Sequence, residues 1–218
     1  MGSRLFFACA LVVVSALAPL AAGAADEDLS VNARLLQSAR NNDAAGLDRA
    51  LKAGASPNAR NRLGETALLI ALKRNDVAMA QTMLDAGTDI NIAAVNGITP
   101  LMAAAYGGQK SIVETLLARG ANLNAVDRLE KNAMTYAAGE GRTDIVLVFL
   151  AKGVDPNAVY HNDLTALMWA AGSGKTDTVK ALLAAGANPA LKDNRGKTAL
   201  DMAREGSHEE VVATLQKA

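Results

Sequence analysis

Apolar positions in this chain come as two short helical stripes separated by a glycine-bearing turn, and the pair of stripes returns roughly every 33 residues. In the clearest copy, Leu101, Ala104 and Ala105 share one helical face. Ile112, Val113, Leu116 and Leu117 form the second stripe beyond Gly107 and Gly108. The end of that second stripe recurs as Met83 and Leu84, Phe149 and Leu150, and Leu182 and Leu183. Polar punctuation keeps the same step. Thr66, Thr99, Thr165 and Thr198 fill one column with Asn132 in the remaining slot, and Gly54, Gly87, Gly120, Gly153 and Gly186 fill another. Each column has a physical role. Thr99 is placed to cap the first helix through its hydroxyl, and Pro100 takes the first helical position, where a missing N–H costs nothing. The small alanines let the next unit approach closely, and Gly120 ends the second helix because glycine enters the left-handed region without strain. The pattern predicts repeated helix-turn-helix units with turn connections, stacked into one elongated solenoid.

The segment Gly97-Ile98-Thr99-Pro100-Leu101-Met102-Ala103-Ala104-Ala105-Tyr106-Gly107-Gly108, continued by Ile112, Val113, Leu116, Leu117, Gly120, Ala121 and Asn124, resembles an ankyrin repeat over its whole length. Related copies begin near residues 27, 60, 126, 159 and 192, so the resemblance covers nearly everything after residue 26. It implies an all-α ankyrin-repeat solenoid over residues 25–218, of about six helix-turn-helix units with β-hairpin connections, near 27–59, 60–92, 93–125, 126–158, 159–191 and 192–218. The end units depart as a finite stack requires. Leu35, Leu36, Leu47, Ala50 and Leu51 keep the pattern at the start, but Asp26, Glu27 and Asp28 replace the preceding turn. At the other end Val211, Val212 and Leu215 keep the stripe, while Gln216 and Lys217 make the last turn polar.

Two further departures fall together. Glu130 and Asp163 stand where Gly64, Gly97 and Gly196 occupy the hairpin; if the turn keeps its shape, Asp163 tolerates a positive φ and Glu130 is strained. Asn132 replaces the capping threonine, and the histidine usual after Thr-Pro-Leu in the family is Leu69, Met102, Thr135, Met168 and Asp201 here. These exchanges put hydrogen bonding between units in question. A place where a sequence breaks its own local rule is a candidate for function.

Ahead of the repeats lies a segment of another kind. Residues 1–4 carry one positive charge, 5–20 are apolar, and Ala22-Gly23-Ala24 precede Ala25 and the acidic Asp26. This is the order of a cleavable secretory signal over residues 1–24, processed after Ala24 or Ala25. The competing reading is an uncleaved N-terminal anchor, since an apolar stretch of about 20 residues can span a bilayer. Pro19 and the small residues favour cleavage. Cys9, the only cysteine, sits early in the apolar run behind Phe6, Phe7 and Ala8, which argues against a lipoprotein signal. Processing would leave a chain without cysteine, and a stack of this length buries enough apolar surface to do without disulfides in an oxidising compartment. The expectation is a periplasmic protein, with release from the cell or anchoring as alternatives. Charge selects no partner: taking Arg4 away from 22 basic residues leaves 21 against 22 acidic ones, which gives no pull toward nucleic acid or an anionic membrane.

Catalytic patterns fail one by one. Gly172-Ser173-Gly174-Lys175-Thr176 looks like the end of a phosphate-binding loop, but Trp169 occupies the place of the first required glycine, and the segment aligns with the inter-helix turn Tyr106-Gly107-Gly108-Gln109-Lys110. His161 lies at a hairpin tip and His208 at the start of the last helix, far from ligand spacing, so no metal and no cofactor is expected. No nucleophile motif surrounds any serine. The expectation is a protein that is not an enzyme.

In ankyrin stacks the hairpin tips and inner helices form a concave surface, which the resemblance implies is the partner-binding face here. In register, that face comprises Arg62, Leu63 and Glu65; Val95, Asn96 and Ile98; Arg128, Leu129 and Lys131; His161, Asn162 and Leu164; and the inner-helix residues Tyr106, Tyr136, Glu140 and Trp169. The hairpin residues Asn194, Arg195 and Lys197 and the helix ends Lys73, Arg74, Ser173 and Glu205 belong to the same rows. Charge mixed with aliphatic and aromatic groups suits a protein partner rather than a phosphate backbone. Tyr136 and Trp169 occupy equivalent positions on successive inner helices, and are either an aromatic floor for a partner or filler between units. The functional expectation is a monomeric interaction module that holds, inhibits or supports another exported protein in self-protection or stress defence. The alternative is a secreted effector that binds host proteins.

Overall fold

The computed structural model describes residues 30–218; the signal-like segment and the opening turn at Asp26, Glu27 and Asp28 lie outside the described residues. Among the described residues twelve α-helices follow one another as six pairs: α1 (Val31–Asn41) with α2 (Ala44–Lys52), α3 (Ala67–Lys73) with α4 (Val77–Asp85), α5 (Pro100–Gly107) with α6 (Lys110–Ala118), α7 (Ala133–Glu140) with α8 (Thr143–Ala151), α9 (Ala166–Gly172) with α10 (Thr176–Ala184), and α11 (Ala199–Glu205) with α12 (Glu209–Leu215). The first helices of the pairs pack on one another in an inner row and the second helices in an outer row. Inner neighbours approach more closely than outer ones, which bends the stack toward the inner row.

Helix starts are set by the expected column. Thr66, Thr99, Thr165 and Thr198 each accept a hydrogen bond from the backbone N–H three residues on. Asn132 does the same for α7, and the Thr135 hydroxyl accepts from the Asn132 N–H in return, so this exchange preserves the cap. Between the rows the column Ala50, Met83, Leu116, Phe149, Leu182 and Leu215 is buried throughout. Each large member contributes about 1.5–3 kcal/mol by leaving water. At the end of the stack Val211 and Leu215 are buried while Gln216 and Lys217 are exposed.

The expected β-hairpins are only hairpin-shaped turns. Among the described residues no strand forms, and Val159 and Thr165 make one isolated antiparallel bridge. Each loop is five residues closed by a bond between its ends, Asn61 N–H to Glu65 O (3.0 Å), Ala94 to Ile98, Asp127 to Lys131, Tyr160 to Leu164 and Asp193 to Lys197 (each 2.9 Å), with a second bond inside it from the fourth N–H to the first C=O. That length leaves no residues for a ladder.

The turns between the helices of a pair carry a second regularity. Their left-handed position is filled by Asn42, Asn75, Gly108, Gly141, Gly174 and Ser207. Asp43 and Asp76 follow the first two and cap their own outer helices. In the third, fourth and sixth pairs the equivalent residue turns backward instead. Gln109 Nε2 donates to Leu72 O at 2.8 Å, Arg142 Nε to Tyr106 O at 3.1 Å, and His208 Nε2 lies 3.1 Å from Gly172 O. A Cβ on Gly108 would stand 3.0 Å from Arg142 Cδ, and one on Gly174 would stand 2.6 Å from His208 Nδ1, so these two glycines make room for the next unit's side chain as well as for the turn. The segment Gly172–Thr176, similar to a phosphate loop, is thus an inter-helix turn between α9 and α10.

Candidate functional site

The surface is built by five loops, 61–65, 94–98, 127–131, 160–164 and 193–197, standing in a row at the N-terminal ends of α3, α5, α7, α9 and α11. The residue at the base of each loop decides its shape. Asn61, Asp127 and Asp193 each accept two backbone N–H groups, two and four residues on, at 2.8–3.0 Å. Ala94 cannot, and Asn96 Oδ1 accepts from Ile98 N–H at 3.2 Å in its place. Tyr160 cannot either, and its loop winds into a single 3-10 turn with Asn162 and Asp163 both left-handed, at φ 60° and 59°. Glu130 takes the left-handed conformation of the glycines it replaces, at φ 55°, a strain of roughly 1 kcal/mol for a residue with a Cβ.

Neighbouring loops are stitched by backbone bonds. Val95 N–H donates to Leu63 O (2.8 Å), Arg128 N–H to Asn96 O (3.0 Å) and Asn194 N–H to Asn162 O (3.0 Å). The corresponding bond from His161 N–H to Leu129 O does not form; His161 Nδ1 instead lies 2.8 Å from Glu130 Oε2. A second row of stitches runs behind the loops, where Asn58, Asn91 and Asn157 accept from the N–H groups of Asp89, Asn122 and Asn188 at 2.7–2.9 Å. Its missing member is Asn124 with Asp155, in the same two loop segments. Both rows therefore break at one place, between loops 127–131 and 160–164.

The proposed face holds three depressions: one of about 400 Å³ lies between α9 and α11, lined by Met168, Trp169, Ser173, Arg195 and Glu205, and two lie nearer its middle. One, of about 420 Å³, is lined by Ile98, Met102, Tyr106 and Tyr136, with Lys73, Asn96 and Arg142 at its edges. The other, of about 340 Å³, opens at the broken stitch between Arg128, Leu129, Lys131, His161, Leu164 and Trp169, with Tyr160 and Asn162 also lining it. Arg62, Leu63 and Val95 stand exposed on the tips outside both, and Glu140 also lies outside them. Glu65 is half-buried and tied to Lys73 Nζ and Asn61 Nδ2, both at 2.7 Å. Burial works to raise its pKa, but those two bonds and the Lys73 charge outweigh it and hold the carboxyl below its ordinary range.

Aromatic rings join the depressions. Tyr106 and Tyr136 meet edge to face, with centroids 6.0 Å apart at 81°. The Lys131 ammonium lies over Trp169 at 4.5 Å and over Tyr136 at 5.8 Å. Burial first, and then the hydrogen bond its hydroxyl gives to Asp127 Oδ2 at 2.5 Å, push the Tyr136 pKa far up, so this ring stays neutral. Tyr136 and Trp169 are both half-buried and pack on the core, while Tyr106 is exposed. The floor and filler readings thus each describe part of every ring. What sequence reasoning missed is Tyr160, although its signal was present: the loop-base column reads Asn61, Ala94, Asp127, Tyr160, Asp193.

A family model described as ankyrin repeats in three copies matches residues 35–127, 73–160 and 134–218. No curated protein matches the chain.

Proposed function

The chain belongs to the ankyrin-repeat family, and from that premise we propose that it works by holding one partner protein against its loop row and inner helices. Ankyrin repeats are protein-protein interaction modules, and no catalytic family matches. The observation that carries the reading is the continuous cluster of Tyr106, Tyr136, Lys131 and Trp169 between two depressions, since large rings with one face open are the side chains that anchor protein interfaces. The order of charged, apolar and small residues in segment 1–25 and the lack of cysteine beyond Cys9 support action in the periplasm, on another envelope protein that the module inhibits or supports. Cell-wall and toxin enzymes from which a producer needs protection are the proposed class.

A crosslinking pull-down from the envelope fraction tests this, with Arg128, Leu129, Lys131 and His161 replaced together in the control bait. The expected result is one dominant protein captured by the natural chain and lost with the control. Equal capture by both baits moves the site elsewhere. Fractionation separates the compartments: processed protein in the medium rather than the periplasm would favour the secreted effector.

A further inference from the structure

We propose that the break between Leu129 and His161 is a slot for an extended, acidic segment of the partner protein, whose backbone supplies the stitch that the stack itself omits. This deepens the protein-binding reading above and rests on it.

The break has a local cause. At the preceding junction the loop glycine lets the next loop come close: a Cβ on Gly97 would stand 2.8 Å from Asp127 Cα and 3.1 Å from Arg128 N. At the equivalent place Glu130 has that Cβ, which blocks the regular close approach; Asp163 has one too, but its loop, wound into a 3-10 turn with Asn162 also left-handed, still reaches Asn194. Tyr160 adds to the separation: like Ala94 it has no carboxylate or amide to draw its loop into the usual shape, and Asn162 does not stand in as Asn96 does, since its Oδ1 accepts from Asn194 Nδ2 of the next loop. Behind the loops, the absent bond between Asn124 and Asp155 leaves a further space of about 300 Å³, also lined by Tyr160. The two loops are therefore apart on both sides of one tyrosine, while α7 and α9 behind them stay packed.

The opening presents a specific set of groups. Among the described residues, Leu129 C=O and His161 N–H have no hydrogen-bond partner, although the same pair of atoms is joined at each of the other three junctions. An extended chain offers an N–H and a C=O at loop-row spacing, the basis of strand addition to an open edge. Trp169, Leu164 and Leu129 supply an apolar wall for one side chain of that segment. Among the described residues, Arg128 and Lys131 form no ion pair, and the one acid of the slot, Glu130, is held by His161. The unmatched charge is positive, so a carboxylate beside a large apolar residue is the complement, and a basic segment is repelled.

Trp169 is the only tryptophan of the chain, so its emission reports this slot and the depression beside it between α9 and α11, and the anisotropy of the variants separates the two. The test titrates the purified protein with three labelled ten-residue peptides, read by anisotropy and by Trp169 emission: one alternating Asp with Leu and Phe, one with Lys in place of Asp, and the acidic one N-methylated at its central amides. The acidic peptide is expected to bind with a Kd of roughly 10–100 μM and to change Trp169 emission. The lysine and N-methyl versions should each bind at least tenfold more weakly. Lys131→Glu should reverse the charge preference. Tyr160→Asp, which restores the loop-base carboxylate, should close the slot and lose the peptide with its melting temperature kept.

Acidic-peptide binding that survives both N-methylation and Lys131→Glu, or that leaves Trp169 unchanged, places the peptide elsewhere; it overturns the slot while the protein-binding reading stands. Absence of binding up to about 1 mM also overturns it. Capture of the envelope partner that is lost with the quadruple control yet kept by Tyr160→Asp overturns the slot alone. Capture of no partner by the natural chain is the distinct failure of the broader reading.

Discussion

Loops 94–98 and 127–131 are stitched to each other front and back, whereas loops 127–131 and 160–164 are stitched at neither place, although the inner helices behind the two junctions pack equally closely. The contrast separates two jobs that a repeat usually performs together. Helix packing makes the stack, and loop bonding decides whether the edge of the stack is closed or open. Every loop position differs between the two junctions, and at the two that set the approach Glu130 stands against Gly97 and Tyr160 against Asp127. Local chemistry can thus open one junction without weakening the solenoid around it.

The largest expected effect tests whether the core is indifferent to the break. Leu116, one pair before the break, and Phe149, in the pair that forms its first side, fill equivalent buried positions. Truncation to alanine should cost about 2–5 kcal/mol for Leu116 and about 3–5 kcal/mol for Phe149 by urea unfolding. A loss under about 1 kcal/mol for Phe149 would mean that the opening reaches the core and that the contrast is not confined to loops. Next comes the loop base. Asp127→Ala removes the acceptor of two backbone N–H groups and of the Tyr136 hydroxyl, at an expected cost of about 2 kcal/mol. Tyr160→Phe removes one hydroxyl and should cost less than about 1 kcal/mol; a thermal melt of both variants compares them directly.

A smaller effect should follow pH. Burial alone would raise the Asp193 pKa, but bonds from the Lys197 N–H and the Arg195 side chain and N–H outweigh it and hold the carboxyl below its ordinary value. A depressed folded pKa contributes stability that is present above the ordinary carboxylate pKa of about 3.9 and is lost as pH falls through the folded value. Amide exchange at Arg195 and Lys197, corrected for intrinsic rates, should therefore accelerate on acidification below that range. Leu164, whose loop has no carboxylate at its base, is the control that should stay unchanged. Smallest of all, Leu63→Ser and Leu129→Ser should each change stability by no more than about 0.5 kcal/mol, since the two residues are 62% and 65% exposed. The same pair sharpens the comparison, because only the change at Leu129 should weaken the acidic peptide.

Most of the architecture was legible because it is written locally. A capping hydroxyl, a proline at the first helical position and an apolar stripe each act within about one turn of helix, so their columns predict helices directly. The position of the irregularity was legible too: Glu130 and Asp163 stand in the glycine place, where a turn that keeps its shape demands positive φ, and both adopt it. Its form was not, because a stitch such as Arg128 to Asn96 joins residues a full repeat apart, and no single column states whether two loops will touch. Asn132, whose exchange for threonine put hydrogen bonding between units in question, is a full replacement as a cap, since an amide oxygen accepts the same N–H. The strands implied by the hairpins were over-read for a simpler reason: loops of this length close on themselves before a ladder can begin.

The backward reach of Gln109, Arg142 and His208 gives the molecule an arrow. Three units, the third, fourth and sixth, are each fastened by their own side chain to a carbonyl of the unit before. A chain delivered N-terminus first, from a ribosome or through a translocation pore, meets this arrangement in the right order: every new latch arrives when its catch is already in place. At these latches, trimming from the C-terminal end uncovers the carbonyls of Leu72, Tyr106 and Gly172, whereas trimming from the N-terminal end strands the side chains of Gln109, Arg142 and His208. Such an array grows by accretion in one direction, and it tolerates shortening best from the end that is made last.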